Sequence, residues 1–306
     1  MDIIRLGNLQ MSLFLMILIG MILTRKGIIT EEGKRCITDV CVDVIIPCNV
    51  LKSCLVPFKG NLWETFSHIF LCGLILQIIF MILNQFLFKR YSLQQQKVLK
   101  YGTLVCNSGF LGYPVAEGVY GPLGLFYASI FLIPLRIVMW SVGMSYFIAQ
   151  NATPKELVKK VMTHPCIIAL YCGIAIMIFR PPLPGFLTMS IQYIGACNAS
   201  ITMFLVGTIL ADVPLTTIVN KDSLLYSLLR LVLLPALAWG VATLLNLDAV
   251  ALGDAVILTG MPAGATTPIF AARYGGDAPF ATKLTVLSTL LSLGTILMWC
   301  AVLPSP

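Results

Sequence analysis

Charged side chains are scarce in this sequence. Asp, Glu, Lys and Arg together make up only 11% of its 306 residues, against 58% hydrophobic residues, and the mean hydropathy is +0.93. A soluble globule of this length needs more polar surface than this composition supplies. The scarcity excludes an ordinary water-soluble domain and indicates that a lipid bilayer surrounds most of the chain.

Recognisable catalytic motifs are also missing. The sequence contains no GxSxG, no HExxH, no facing pair of aspartates and no Walker A motif, and its only two histidines, His68 and His164, lie near predicted membrane edges. Its ten cysteines form no CxxC or His-linked metal pattern. We therefore expect a protein that is not an enzyme and needs no metal or cofactor. An intramembrane enzyme is the least favoured alternative.

What the sequence does contain is a series of apolar stretches, each about 20 residues long, which is the length of a membrane-spanning helix. Short charged or Pro/Gly-rich loops separate them, unlike the roughly 10-residue alternation of a membrane barrel. The sequence predicts an all-α membrane protein with ten transmembrane helices, at residues 9–24, 37–58, 66–88, 101–120, 123–148, 164–179, 186–211, 224–245, 254–274 and 280–302.

The cations are distributed unevenly between alternate loops. If the N-terminus lies outside, the outer loops keep only Arg5, Lys59 and Arg180, and most other Lys and Arg residues fall on the inner side. Cytoplasmic loops carry such an excess. We therefore predict a multi-pass plasma-membrane protein with both termini extracytoplasmic. The formal charge of +7 reflects this bias, so no nucleic-acid partner is expected.

Two segments of the chain match each other without a gap at a separation of 154 residues. Residues 107–121 (NSGFLGYPVAEGVYG) align with residues 261–275 (MPAGATTPIFAARYG), so that Pro114 meets Pro268 and the two Tyr-Gly pairs coincide. Further matches flank them in the same order, Cys48-Asn49 with Cys197-Asn198 and residues 137–140 with residues 296–299.

These matches predict two five-helix halves, residues 1–148 and 161–306, joined by a cytoplasmic linker at 149–160. Because five is odd, the second half must enter the membrane in the opposite sense to the first. Such inverted repeats are typical of secondary transporters.

Helices four and nine of this prediction carry Pro and Gly at their centres. Proline removes a backbone donor, and a freed carbonyl is tolerated in the membrane only where protein or a watery cavity satisfies it. An ordinary proline kink is the alternative interpretation. Two matched interruptions nevertheless favour a binding cavity near the midplane, where the N-termini of half-helices attract an anion.

The residues at these interruptions resemble the auxin efflux carrier family, which includes plant auxin carriers and bacterial permeases for malate or malonate. Residues 107–114 (NSGFLGYP) are similar to the family's Asn-x-x-x-x-Gly-x-Pro crossover, and residues 261–271 (MPAGATTPIFA) to its second crossover. The resemblance implies crossed, interrupted helices four and nine. It also implies a scaffold of helices 1, 2, 6 and 7, a moving unit of helices 3–5 and 8–10, and elevator-type alternating access.

The resemblance further implies that Asn107 contacts a substrate carboxylate, whereas Met261 stands where the second half could carry an asparagine. We predict a transporter of a small organic anion, a mono- or dicarboxylate such as malate or malonate or an auxin-like acid; a channel or a sensor is the alternative. The expected binding residues are Asn107, Gly109, Gly112, Pro114, Pro262, Ala263, Gly264, Thr266 and Pro268.

A few charged residues fall inside the predicted spans, where they are costly and therefore functional candidates. Lys52, Arg136, Glu117 and Asp43 are candidates for substrate charge recognition or for coupling to H⁺ or Na⁺. The alternatives are that Lys52 and Arg136 snorkel to an interface, and that Glu117 is an interfacial residue or the partner of a cation. Arg230 lies about two turns from the inner end of its span, and we predict that it snorkels to the interface.

Two matched asparagines complete the polar candidates. Asn49 and Asn198 are predicted to form hydrogen bonds between scaffold helices, with a place in the binding cavity as the alternative. Besides the anion and the bilayer, the one partner that we consider is a second copy of the chain, in a homodimer through the scaffold helices.

Overall fold

The computed structural model describes residues 3–55, 62–147, 162–163, 165–211 and 218–303. The predicted linker at 149–160 and His164 lie outside the described residues. Within them the regular structure is helical, which confirms the all-α prediction. The fourteen α-helices of the described residues are α1 (Ile3–Arg25), α2 (Glu31–Val40), α3 (Ile46–Cys54), α4 (Leu62–Phe86), α5 (Leu93–Leu104), α6 (Tyr113–Val138), α7 (Pro165–Phe179), α8 (Gly185–Ala196), α9 (Asn198–Ala211), α10 (Lys221–Leu228), α11 (Leu234–Leu244), α12 (Ala249–Thr259), α13 (Thr266–Arg273) and α14 (Ala278–Val302).

Several of these helices are joined by short π-helical segments, at Cys41–Ile45, Ser108–Gly112, Met139–Gly143 and Leu229–Leu233. Three of the four end two residues before a proline, namely Pro47, Pro114 and Pro235. A proline has no N–H for the carbonyl four residues earlier and its ring collides with it, whereas the wider π turn moves that carbonyl away. These prolines are therefore accommodated within continuous helices.

Five helical stretches of the described chain are long and apolar enough to cross a membrane. They are Trp63–Phe86, Ser108–Val138, Gly185–Thr208, Lys221–Leu244 and Ala278–Val302. Further apolar helices, Met11–Arg25, Ile167–Ile176 and Ala249–Thr259, are shorter. The chain is thus a multi-pass membrane protein, while the count of ten crossings stays a prediction.

The helices pack in two groups. In the first, α1 lies along α9, and α3 packs against α7 and α8. In the second, α6 packs against α4 and α12, and α11 against α12. The groups meet where α3 contacts α6 and where α1 contacts α14.

Gly121 and Gly275, which the sequence alignment pairs, share an unusual backbone conformation. Their φ angles are +68° and +71°, in the left-handed region that glycine adopts without the penalty of a Cβ atom. At Gly121 the positive φ redirects the chain inside α6. At Gly275 it lies just beyond the end of α13.

Candidate functional site

Two of the helical stretches are interrupted, and the interruptions lie side by side. The first separates α5 from Ser108 at residues 105–107, and the second separates α12 from α13 at residues 260–265. Cys106 and Ala263 form an antiparallel bridge, in which Asn107 N donates to Pro262 O over 2.8 Å and Gly264 N donates to Val105 O over 3.2 Å. Each interruption therefore satisfies part of the other's freed backbone.

The first interruption does not lie at Pro114, the proline of the first matched segment. Pro114 lies in the first turn of α6, after the π-helical segment that accommodates its ring. The chain leaves the helix earlier, at Val105, which is extended with φ −115° and ψ 114°. In the second interruption Pro262 does lie in the non-helical segment, whereas Pro268 lies in the first turn of α13, where a missing N–H costs little.

The carbonyl ends of the two preceding half-helices are bound by one side chain, Arg230. Its guanidinium donates through Nη1 to Thr103 O (2.8 Å), through Nη2 to Thr259 O (2.7 Å) and through Nε to Met261 O (2.9 Å). Arg230 is only 1% exposed. The prediction that it snorkels to the interface is therefore wrong, because its charge is compensated in the interior by carbonyl groups at the negative ends of α5 and α12.

A second side chain, that of Gln77, also donates to a carbonyl at the end of α5. Gln77 of α4 donates through Nε2 to Leu104 O, the last carbonyl of α5, over 3.3 Å. The last carbonyls of a helix have no partner within the helix, and in a membrane they must be satisfied by other protein groups. Arg230 and Gln77 meet that requirement for the last two carbonyls of α5, those of Thr103 and Leu104.

The two adjacent interruptions form the crossing, and its carbonyl side is the side on which α5 and α12 end. On the opposite, amino side, the beginnings of the following half-helices border a cavity of about 350 Å³. Val105, Cys106 and Asn107 line it from the first interruption, and Gly109 and Phe110 from the π-helical segment that follows. Gly264 and Ala265 line it from the second interruption, and Thr266 from the start of α13. The remaining walls come from α2, α3, α6, α9 and α13 and the π-helical segments next to them, through Lys34, Thr38, Val42, Ile46, Leu132, Leu135, Arg136, Met139, Leu205, Val206, Thr208, Ile269 and Phe270.

The charge of this cavity is one-sided. Two cations, Lys34 and Arg136, line it, and in the described chain no aspartate or glutamate does, although Lys34 Nζ lies 3.0 Å from Oε1 of the exposed Glu31 outside the cavity. The first N–H groups of a helix lack intrahelical partners and carry the positive end of its dipole. Two such helix ends and two cations make the polar part of the cavity suitable for an anion.

The structure separates the nine predicted binding residues into two sets. Asn107, Gly109, Gly264 and Thr266 line the cavity. Gly112, Pro114, Pro262, Ala263 and Pro268 are not among its lining residues. They lie in the same crossing but face away from the cavity, since successive residues of a helix or an extended segment point in different directions.

Three polar side chains at the cavity are positioned by different means. Thr266 Oγ1 lies 2.9 Å from the hydroxyl oxygen of the buried Tyr101. Arg136 donates through Nη2 to the Tyr113 hydroxyl over 3.3 Å. Asn107 is 5% exposed, and within the described structure its side-chain amide makes no hydrogen bond to protein, so it is available to a ligand.

Comparison with known proteins identifies the family to which the chain belongs. The family model described as membrane transport protein matches residues 10–158 and 150–300 of the chain. The chain belongs to the membrane transport protein family. This is the auxin efflux carrier family, so the resemblance of the two crossover motifs is confirmed.

Two relatives of this membrane transport protein match nearly its whole length, and a third matches less than half of it. It is 24% identical over 298 residues to an uncharacterized transporter of Methanothermobacter thermautotrophicus, covering 96% of this chain and 97% of that protein. It is 23% identical over 304 residues to an uncharacterized transporter of Methanocaldococcus jannaschii, covering 95% and 97%. A candidate malonate transporter of Rhizobium meliloti is 28% identical over 143 residues, covering 46% and 44%.

Among the other charged candidates of this membrane transport protein, Lys52 and Glu117 bind each other. Lys52 Nζ lies 2.6 Å from Glu117 Oε1, and Asn49 donates through Nδ2 to Glu117 Oε2 over 3.2 Å. The pair connects α3 to α6 and does not line the cavity. Asp43 is exposed on the π-helical segment before α3 and does not line the cavity either.

Asn198 and Asp254 are among the buried polar residues whose side chains have no hydrogen-bond partner in the described structure. Neither amide atom of Asn198 is hydrogen-bonded, so the predicted bond between scaffold helices is seen for neither Asn198 nor its matched Asn49, which instead contacts α6. Asp254 of α12 is 1% exposed, and neither of its carboxyl oxygens has a partner.

The sequence analysis missed the role of Arg230 in the site and, elsewhere in the structure, the environment of Asp254. It placed Asp254 at the edge of a span, where an acid is unremarkable, whereas the structure places it within α12. The signal available for Arg230 was its cationic charge inside an apolar run. Its carbonyl partners come from other parts of the sequence, so hydropathy could not identify them.

Proposed function

We propose that this membrane transport protein is a secondary transporter that binds a small organic anion, with its carboxylate, at the amino side of the crossing. The cavity lined by Asn107, Arg136 and two helix amino ends, without an acidic side chain in the described chain, carries this proposal. Binding at helix amino ends near the midplane is how interrupted-helix transporters hold anionic groups. The name of the Rhizobium meliloti relative, a candidate malonate transporter, supports the same substrate class.

The apolar walls of the cavity indicate the chemical character of the rest of the substrate, beyond its carboxylate. Phe110, Leu132 and Phe270 are among the residues that face the space beside the polar end. A volume of about 350 Å³ lies in the range of pockets for small molecules. We propose a carboxylate with an apolar portion, so that auxin-like or short aliphatic acids bind more tightly than malate, whose second carboxylate and hydroxyl would face apolar walls.

We further propose that the two halves, residues 1–148 and 161–306, are inverted repeats. The antiparallel pairing at Cys106 and Ala263 supports this proposal, and so does the left-handed conformation shared by Gly121 and Gly275. In this proposal all ten predicted spans cross the plasma membrane, both termini are extracytoplasmic and residues 149–160 form a cytoplasmic linker.

The location of the cavity supports elevator-type alternating access. Residues of α2, α3 and α9, in predicted spans 2 and 7, line one side, whereas residues of α6 and α13, in predicted spans 5 and 9, line the other. We propose that predicted helices 3–5 and 8–10, which include α6 and α13, move along the scaffold helices 1, 2, 6 and 7 with the anion bound. The Lys52–Glu117 pair bridges the two groups, and we propose that it breaks or changes partners during this movement.

Counterflow in proteoliposomes tests the proposal. Vesicles that contain the purified chain are loaded with an unlabelled carboxylate, and uptake of the labelled acid is followed. Saturable uptake that depends on the internal acid is expected of a carrier. Flux that is linear in concentration and independent of internal acid would indicate a channel, and binding without flux a sensor.

The substrate is identified beforehand by thermal shift of the purified protein against mono- and dicarboxylates, because a ligand that binds only the folded state raises its stability. Asn8→Ala, at an exposed asparagine of α1, serves as the control for Asn107→Ala. A carboxylate that stabilises the wild type and the control but not Asn107→Ala is the substrate to use in counterflow. Equal stabilisation of all three would contradict the assigned site.

A further inference from the structure

The carbonyl side of the crossing has the composition of a cation site. Thr103 O, Thr259 O and Met261 O converge from the end of α5, the end of α12 and the second interruption. Freed carbonyls and half-helix C-termini are the groups with which interrupted-helix transporters coordinate a coupling cation. In this chain all three oxygens point at one covalently attached cation, the guanidinium of Arg230.

The guanidinium fills this place without an acidic partner. In the described structure no carboxylate lies within ion-pair distance of Arg230, which is 1% exposed. Its charge is therefore compensated by backbone dipoles, as the charge of a bound metal cation would be. A guanidinium also matches several fixed acceptors at once, since its five donors form a rigid planar fork.

We propose that Arg230 is a resident cation that replaces a dissociable coupling cation at the crossing, so that the anion is bound on the other side without Na⁺. This inference rests on the proposed function, because it concerns how the anion site is held ready. A dissociable cation would have to bind before the two interruptions could present their amino ends. The tethered guanidinium keeps that arrangement in place permanently, so no Na⁺ gradient drives transport through this position.

The first experiment needs no variant. Anion affinity, by thermal shift, and counterflow are measured for the wild type while Na⁺ is exchanged for N-methylglucamine at constant ionic strength. Unchanged affinity and counterflow are expected. A saturable increase of either with Na⁺ would overturn the proposal while leaving the proposed transport function intact.

The second experiment empties the site. In Arg230→Ala, millimolar guanidinium is expected to raise the Tm by a few degrees, whereas urea, which has nearly the same shape and donors but no charge, is not. Wild type and Arg136→Ala, which removes the cation on the cavity side, are expected to show no rise with guanidinium. Equal stabilisation by urea, or none by guanidinium, would overturn the proposal.

If Arg230→Ala cannot be purified folded, Arg230→Lys replaces it. A lysine keeps the charge, so anion binding without Na⁺ is expected to persist at a reduced Tm, and an acquired Na⁺ requirement would count against the proposal. The two hypotheses remain separable. Selective stabilisation of Arg230→Ala by guanidinium with no counterflow for any acid would support the resident cation and refute the transporter.

Discussion

The two sides of the crossing differ in what satisfies their backbone groups. On the carbonyl side, the guanidinium of Arg230 binds three oxygens and is closed off from solvent. On the amino side, the helix ends border a cavity, and the amide of Asn107 makes no protein hydrogen bond in the described structure. The same interruption of two helices thus creates a filled polar site and an open one, and the open one is where a ligand can bind.

This comparison predicts that removing the hydrogen bonds of Arg230 on the carbonyl side has the largest effect, and that the effect is on the free energy of unfolding. Arg230→Met leaves three buried carbonyl oxygens without their donor, and we expect a loss of about 3–5 kcal/mol. The Tm in detergent and the yield of monodisperse protein measure it. Arg35→Met, at an exposed position of α2, is the control. A Tm equal to that of the control would show that the carbonyl side is not needed for folding.

Breaking the amino side should affect binding instead. Asn107→Ala removes an amide that faces the cavity and is not used by the protein, so the ligand-free Tm should stay near that of the wild type. We expect the affinity for the carboxylate to fall roughly 10-fold or more, the equivalent of about 1.4 kcal/mol. Titration by thermal shift or calorimetry measures this. A large loss of Tm with unchanged affinity would reverse the assignment of the two sides.

Arg136 should have a smaller effect on the same side, because its guanidinium is already engaged with the Tyr113 hydroxyl. Arg136→Gln removes the charge and keeps a donor, and we expect an affinity loss of about 0.5–1 kcal/mol that shrinks as salt is added. Arg35→Gln provides the matched control outside the cavity. Salt dependence that is the same in the variant and the wild type would argue against a role for this charge.

The smallest effect on stability is expected for the pair that joins the two helix groups. The side chains of Lys52 and Glu117 are 27% and 26% exposed, so the pair is only partly buried, and we expect a coupling energy of about 1 kcal/mol or less. A double-mutant cycle with Lys52→Met and Glu117→Gln measures it.

The rate of counterflow distinguishes this pair from the two sides of the crossing. If the pair breaks as the groups move, each single variant should change the counterflow rate more than the anion affinity. A change in affinity alone would place the pair in the binding site, contrary to its position outside the cavity.

The sequence predicted the residues around the crossing better than their orientation. Asn107, Gly109, Gly264 and Thr266 line the cavity, because the match between residues 107–121 and 261–275 located both interruptions, while their part in binding stays a prediction. Prolines at the centres of the predicted helices indicate the interruptions, but the first interruption lies before Pro114 and not at it. Proline composition marks a strained helix, but a π turn can absorb the strain, and which outcome occurs depends on neighbouring packing.

By itself, the sequence determined that the protein is helical and lies in a membrane, since periodic apolar length and scarce charge are local properties. Only the tertiary structure decided what the charges do. Arg230, Thr103 and Thr259 are far apart in sequence, and so are Lys52 and Glu117. Whether a cation in an apolar span reaches the interface, binds an acid or binds carbonyls depends on which groups folding brings within a few ångström, because the cost of its charge in hydrocarbon is the same until a partner is there.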